Sequence, residues 1–196
     1  GTVAVYQVGG EPLSVLPFTD VEAQDAQAVR YVYENGLLSG VSADRFDPSG
    51  TLTRGEAAAA LWSLEGRPAV NYLMSFSDVD PAASYGGAVR WAASEGIAGG
   101  YGGGLFGPED PVTREQLAVM LYRFAQYRNY DTAQGGMVVR EYADYDQISS
   151  YALEAVVWAV KAGVLTGTAA DTLAPSQAAD RVQAAQALLV LSQIAE

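Results

Sequence analysis

Two residue types are missing from this chain altogether: cysteine and histidine. Without cysteine there is no disulfide, no thiol nucleophile and no thiolate metal ligand. Without histidine the commonest general base and the commonest transition-metal ligand are gone. Positive charge is scarce as well, with 11 Lys and Arg against 23 Asp and Glu, a formal net charge of −12 over 196 residues. Such a chain repels nucleic acid and anionic membrane surfaces at long range. An anionic ligand must therefore be captured at short range by a few placed arginines. No apolar run approaches the length of a membrane span. No charged-then-apolar leader opens the chain, which reads as an excised or mature part of something larger. These absences predict no metal, no cofactor, no nucleic-acid partner and no membrane insertion. Hydrophobic residues make up 49% of the chain, enough for a core.

What is present is a spacing that occurs three times. Gly36, Gly96 and Gly163 are each followed four residues later by Gly40, Gly100 and Gly167, and eighteen residues after the first glycine by Arg54, Arg114 and Arg181. Each unit opens with an aromatic-x-Asp: Phe18-Thr19-Asp20, Phe76-Ser77-Asp78 or Tyr142-Ala143-Asp144. An amphipathic stretch carrying Tyr31, Trp91 or Trp158 follows. The loop after the glycine pair ends in Phe46-Asp47-Pro48, Phe106-Gly107-Pro108 or Leu173-Ala174-Pro175. A fixed internal period implies supersecondary units that cannot bury their apolar faces alone.

Each arginine sits in a capping box. Thr53 with Glu56, Thr113 with Gln116, and Asp180 with Gln183 place a side-chain acceptor at the N-cap and an acceptor three residues on. The apolar helices predicted to follow are 57–64, 117–127 and 184–194. Earlier helices are predicted over roughly 23–35, 85–95 and 151–162. Each of these ends at a glycine followed by an aliphatic residue, the pattern of a left-handed C-cap. Residues 1–17 read as a strand or extended arm, and residues 128–141 as a linker or inserted hairpin. Capping explains the Thr, Asp, Glu and Gln positions but not the arginines, because a cation at the first helical position opposes the helix dipole by about 0.3–1 kcal/mol. Two readings stay open. Each arginine forms a buried ion pair, for instance with an Asp of the neighbouring repeat, or it joins free backbone N–H groups in an anion site.

The Phe-x-Asp starts, the Gly-x-x-x-Gly step, the Phe-x-Pro turn and the Thr-Arg-x-Glu/Gln box together resemble the S-layer homology (SLH) domain. The resemblance covers residues 18–194, in three tandem repeats. It implies a mainly α fold: three helix–loop–helix repeats in a pseudo-threefold spindle around a central three-helix bundle. The expected boundaries are an arm at 1–17 and repeats at 18–70, 71–130 and 131–196, all in one structural domain. The third repeat is degenerate, with Asp180, Val182 and Leu173 at motif positions.

The resemblance also implies a function: a non-catalytic anchor on the bacterial cell surface. Its ligand would be an anionic secondary cell-wall polymer, pyruvylated in many members, bound in grooves between repeats. Expected ligand-binding residues are Arg54, Arg114 and Arg181, with Arg54 and Arg114 ahead of Arg181. Gly40, Gly100 and Gly167 are either turn residues with positive φ or points of close backbone approach to a sugar. Asp20, Asp78 and Asp144 are either caps and turn formers or part of the groove lining. Tyr31, Trp91 and Trp158 are either core or an apolar face for a pyranose ring. Neighbouring surface-layer subunits are a further expected partner, and a protein–protein or self-assembly module is the alternative function. An enzyme is not expected, since no chemical groups converge around carboxylate pairs such as Glu109/Asp110 and Asp144/Asp146. The G-x-G-x-x-G at Gly102–Gly107 is followed by Pro108 and Pro111 instead of a helix and reads as a loop. Asp44–Glu56 lacks the ligand order of a calcium loop.

Overall fold

A computed structural model describes residues 15–133, 136, 138–169 and 171–195. The fold is mainly α, with six α-helices and no strand among the described residues. These are α1 (Ala26–Glu34), α2 (Arg54–Leu64), α3 (Gly86–Ser94), α4 (Arg114–Tyr127), α5 (Leu153–Lys161) and α6 (Arg181–Ile194). Short 3₁₀ turns occupy Val138–Glu141, Tyr145–Gln147 and Ser150–Ala152. Most of the predicted arm at 1–17 lies outside the described residues. In the segment 128–141, the described residues form no hairpin. Asp131 and Ala133 present carbonyls to Trp158 Nε1 (3.2 Å) and Lys161 Nζ (2.9 Å), which ties the connection onto α5.

The sequence dictates where α2, α4 and α6 begin. In all three, the N-cap side chain accepts from the backbone of the third helical residue, and that residue's side chain accepts from the N-cap backbone. The helices therefore start at the arginine itself, three residues before the predicted apolar runs. The first helix of each repeat stops where predicted. Gly36, Gly96 and Gly163 have φ of 65°, 70° and 75°, and Leu37, Ile97 and Val164 bond back to carbonyls five residues earlier at 2.8 Å each.

Packing runs out of register with the sequence units. Each capped helix pairs with the first helix of the next repeat: α3 on α2, α5 on α4, and α1 on α6. The last pair joins the first helix to the last. Helix α4 also touches α2 and α6. The residues just before the caps form a ring of backbone hydrogen bonds. Leu52 donates to Ala179 (3.1 Å), Ala179 to Val112 (2.8 Å) and Val112 to Leu52 (2.9 Å). All three are buried, so these bonds are made where no water competes.

Candidate functional site

The three arginines are buried, with 5%, 2% and 4% of their surface exposed at Arg54, Arg114 and Arg181. Each reaches from its own helix into the loop of the next repeat. Arg54 donates from Nε to Phe106 O (3.0 Å) and from Nη2 to Gly99 O (2.7 Å). Arg114 donates from Nε to Leu173 O (2.7 Å) and from Nη2 to Thr166 O. Arg181 donates from Nε to Phe46 O (2.8 Å) and from Nη2 to Ser39 O, returning to repeat 1. The guanidinium of Arg54 lies over the rings of Tyr101 and Phe106 at 4.6 and 4.7 Å, and that of Arg181 over Phe46 at 4.9 Å. Each arginine is thus a clasp between repeats, and Nη1 is the nitrogen left over. Arg181 gives its Nη1 to Glu56 Oε1 at 3.3 Å. Burial pushes the guanidinium of Arg114 down from its ordinary value, with Asp180 and Asp144 acting the other way.

Free helix N-termini do not complete the site. The first two N–H groups of α2 donate to Asp110 O (2.9 Å) and Pro108 O (2.8 Å). Those of α4 donate to Gln177 O (2.8 Å) and Pro175 O (2.9 Å), and those of α6 to Gly50 O and Pro48 O (2.9 Å each). The third N–H is taken by the cap. Of the two readings left open by the sequence, the anion site of free N–H groups is therefore ruled out at these helix ends. Carbonyls of the adjoining loop occupy those donors and stabilise the helix end that the arginine alone would disfavour.

The glycine expectation is corrected too. Gly40, Gly100 and Gly167 are not at positive φ, which belongs to the first glycine of each pair. The close approach is real, but the neighbour is the chain itself. A Cβ on Gly40 would lie 2.6 Å from Ser42 O and 2.7 Å from Arg45 O, besides striking the Phe18 ring. On Gly100 it would meet Phe76 at 2.7 Å, and on Gly167 the Tyr142 ring at 3.0 Å. The aromatic of each aromatic-x-Asp start thus lies against the second glycine. Phe18 and Phe76 also pack on Phe46 and Phe106, at 5.5 and 5.3 Å between centroids.

Asp20, Asp78 and Asp144 cap no helix. Each carboxylate accepts two backbone N–H groups in the Phe-x-Pro turn: Phe46 and Asp47 (2.9 Å each), Phe106 and Gly107 (2.8 and 2.7 Å), Leu173 and Ala174 (2.8 and 2.7 Å). The middle residue of each turn is left-handed, at φ 58° for Asp47, 69° for Gly107 and 48° for Ala174. The aspartate braces a conformation that an L-residue resists. Burial opposes ionisation of these carboxyls, but the paired N–H donors outweigh it and hold all three below the usual carboxylate value.

The stacking expectation fails at the tryptophans. Trp91 and Trp158 are 0% and 2% exposed and belong to the core, where no sugar reaches them. Tyr31 is half-buried against the same core. Other aromatics face the grooves: Tyr33 (41% exposed) and Trp62 in one, Tyr101 (53%) and Tyr151 (58%) in another.

Three grooves among the described residues hold a motif arginine. The Arg54 groove is about 500 Å³ and is lined by Gly99, Gly100, Tyr101, Gln116, Arg123 and Tyr151, among others. The Arg181 groove is about 510 Å³ and includes Tyr33, Ser39, Glu56, Trp62 and Arg67. The Arg114 groove is only about 40 Å³, between Thr166 and Gln183. The two large grooves fall in the range of about 300–1,000 Å³ typical of ligand sites. In the Arg54 groove, no carboxylate joins the lining and Arg123 adds a second cation. Burial, with Glu115 beside it, pushes the Tyr151 phenol up, so it is a protonated donor at neutral pH.

The model of one protein family, the S-layer homology domain, matches residues 17–58, 75–118 and 141–185. This chain belongs to the S-layer homology domain family. Its similarity extends to an exoglucanase XynX of Acetivibrio thermocellus, 28% identical over 90% of this chain and 16% of that protein. A cellulosome-anchoring protein of the same species is 28% identical over 46% of this chain and 21% of that protein. An S-layer protein of Bacillus thuringiensis subsp. finitimus is 26% identical over 95% of this chain and 23% of that protein. The chain therefore spans a quarter or less of each of these relatives. Each SLH match runs from the aromatic-x-Asp start to the first turn of the capped helix, the segment whose braces and clasps are described above. Sequence reasoning missed Tyr101, Arg123 and Tyr151. Arg123 was legible as the helix position one heptad after Gln116, but Tyr151 comes from the third repeat and no spacing links it to Arg54.

Proposed function

We propose that this chain is a non-catalytic anchoring module that holds a larger protein to the bacterial cell wall. The ligand is an anionic secondary cell-wall polymer, and the Arg54 groove binds it. The observation that carries this reading is the composition of that groove: two arginines, two tyrosines and an amide, with no carboxylate, on a chain of net charge −12. A carboxylate-bearing sugar, such as a pyruvylated N-acetylmannosamine, fits those groups. Its acid would lie at Nη1 of Arg54 and its ring against Tyr101 or Tyr151. Relatives named as S-layer and cellulosome-anchoring proteins support the surface location.

In this reading Gly100 and Asp78 act by shaping the loop, and Gly40, Gly167, Asp20 and Asp144 do the same at the other two grooves. Arg114 and Arg181 serve first as clasps. The test is co-sedimentation with peptidoglycan sacculi, intact and after chemical stripping of the attached polymer. Sedimentation with intact sacculi and its loss on stripping is the expected result. Equal sedimentation with both would rule the polymer out as the ligand. No sedimentation with either would favour a self-assembly module instead.

A further inference from the structure

The residue after the motif arginine differs in each repeat: Gly55, Glu115 and Val182. Glu115 is buried and takes no part in the lining of the Arg54 groove. Its carboxylate instead holds one residue of the third repeat by two bonds. Oε2 accepts from Ser149 N at 2.9 Å, and Oε1 accepts from Ser149 Oγ at 2.6 Å. Ser149 stands at the N-cap of the 3₁₀ turn Ser150–Ala152, yet its hydroxyl caps nothing there, being given to Glu115. The turn closes with Ala152 N donating to Ser149 O at 2.9 Å, and Ala152 is fully buried at the head of α5. Tyr151 sits between these two anchors and lines the Arg54 groove.

We infer that Glu115 is a positioning residue of the Arg54 groove: by clamping Ser149 it fixes Tyr151 of repeat 3 as a wall of a groove otherwise built by repeats 1 and 2. The inference rests on the reading of that groove given above and adds to it a residue that never meets the sugar. Hydrogen bonds to a carboxylate are the strong kind, and burial keeps water from competing for them. The Arg181 groove shows the same place without the clamp. Ser84 lines it, and Ser84 and Tyr151 each stand twelve residues before the first glycine of their pair, Gly96 and Gly163. There Gly55 stands where Glu115 would, and a Cβ on it would come within 3.1 Å of the Tyr85 ring, so repeat 2 is seated by ring packing on bare backbone. One backbone position thus gives a clamped tyrosine in one groove and a serine in the other. The tyrosine alone offers a sugar a ring face and a hydroxyl together.

The experiment is calorimetric titration of the intact chain with pyruvylated N-acetylmannosamine, with a thermal melt of every variant. Tyr151→Ala is expected to lose about 10-fold in affinity, the upper worth of one hydrogen bond. Glu115→Ala is expected to lose affinity as well, up to the same factor. The double variant should lose no more than Tyr151→Ala alone, because the clamp has nothing to place once the ring is gone. Glu115→Gln is the conservative rescue. Its oxygen can accept from Ser149 N and its amide can donate to Ser149 Oγ, so it is expected to recover most of what Glu115→Ala loses. Ser149→Ala removes only the Oγ bond, and it enters the same cycle where Glu115→Ala melts below the assay temperature. Wild-type affinity in Tyr151→Ala or Glu115→Ala, additive losses in the double variant, or no rescue by Glu115→Gln would overturn this inference and leave the anchoring reading standing. A wild-type chain that does not bind the sugar would overturn both.

Discussion

Arginine at the first position of a helix is unfavourable by dipole alone, yet here it is compensated by the carbonyls it joins. Arg114→Ala would leave the carbonyls of Leu173 and Thr166 unpaired in a buried site. The expected loss is about 2–5 kcal/mol of unfolding free energy, measurable by urea titration. A binding defect in that variant would therefore say nothing about ligand contact. A second residue-scale outcome concerns Ala174, held at φ 48° without a glycine's freedom. Ala174→Gly is expected to stabilise the fold by about 0.5–1 kcal/mol in the same assay. The paired glycines separate in the opposite sense. Gly100→Ala drives a methyl into the Leu105 carbonyl and the Phe76 ring, while Gly96→Ala has open space and meets only left-handed strain, about 1–2 kcal/mol. The larger loss belongs to Gly100→Ala. The left-handed C-cap read at the first glycine of each pair holds, but positive φ at the second does not, because spacing marks where glycine is needed and not whether φ or close packing needs it.

At the scale of elements, the capped helices were the most legible part of the chain. Thr53, Thr113 and Asp180 with their partners three residues on named the helix starts, and the glycine–aliphatic pairs named the ends of α1, α3 and α5. The braces were not legible. Asp20, Asp78 and Asp144 bond to turns 26 to 30 residues away, and a motif cannot say which backbone its carboxylate will meet. These braces carry a pH dependence. A carboxyl held below its unfolded value contributes stability above that value, near pH 4, and loses it as pH falls through the lower folded value. The loops are therefore expected to loosen below about pH 4, where Asp180, pushed up by burial, acts in the opposite direction. Replacing Asp78 by Asn should flatten the acid limb of a stability–pH curve; an unchanged limb would assign the acid sensitivity to other groups.

For the whole molecule, the three-repeat, mainly α organisation was legible from the period, the capping motifs and the family resemblance, and the pairing of helices was not. A helix–loop–helix unit suggests that its own two helices pack together. Instead each capped helix pairs with the next repeat's first helix, and α1 closes onto α6. Pairing register is a tertiary choice that local patterns leave open, and the buried ring of Leu52, Val112 and Ala179 is part of what fixes it. An interlocked ring has no free-standing repeat. Removing residues after 130 strips α4 of α5 and α1 of α6, so this truncation is expected to lose cooperative unfolding altogether, while the full chain melts in one transition. A truncated chain that still melts cooperatively would show that the first two repeats are self-sufficient.

The claim at the centre is that one groove, the one at Arg54, takes an acidic wall sugar. The most direct measurement is an amide NMR titration of the intact chain with the pyruvylated sugar. Shifts should gather at Gly99, Tyr101, Gln116 and Tyr151, with Ser39, Glu56 and Thr166 unmoved. Shifts centred on Ser39 and Glu56 instead, with the Arg54 groove silent, would contradict the claim.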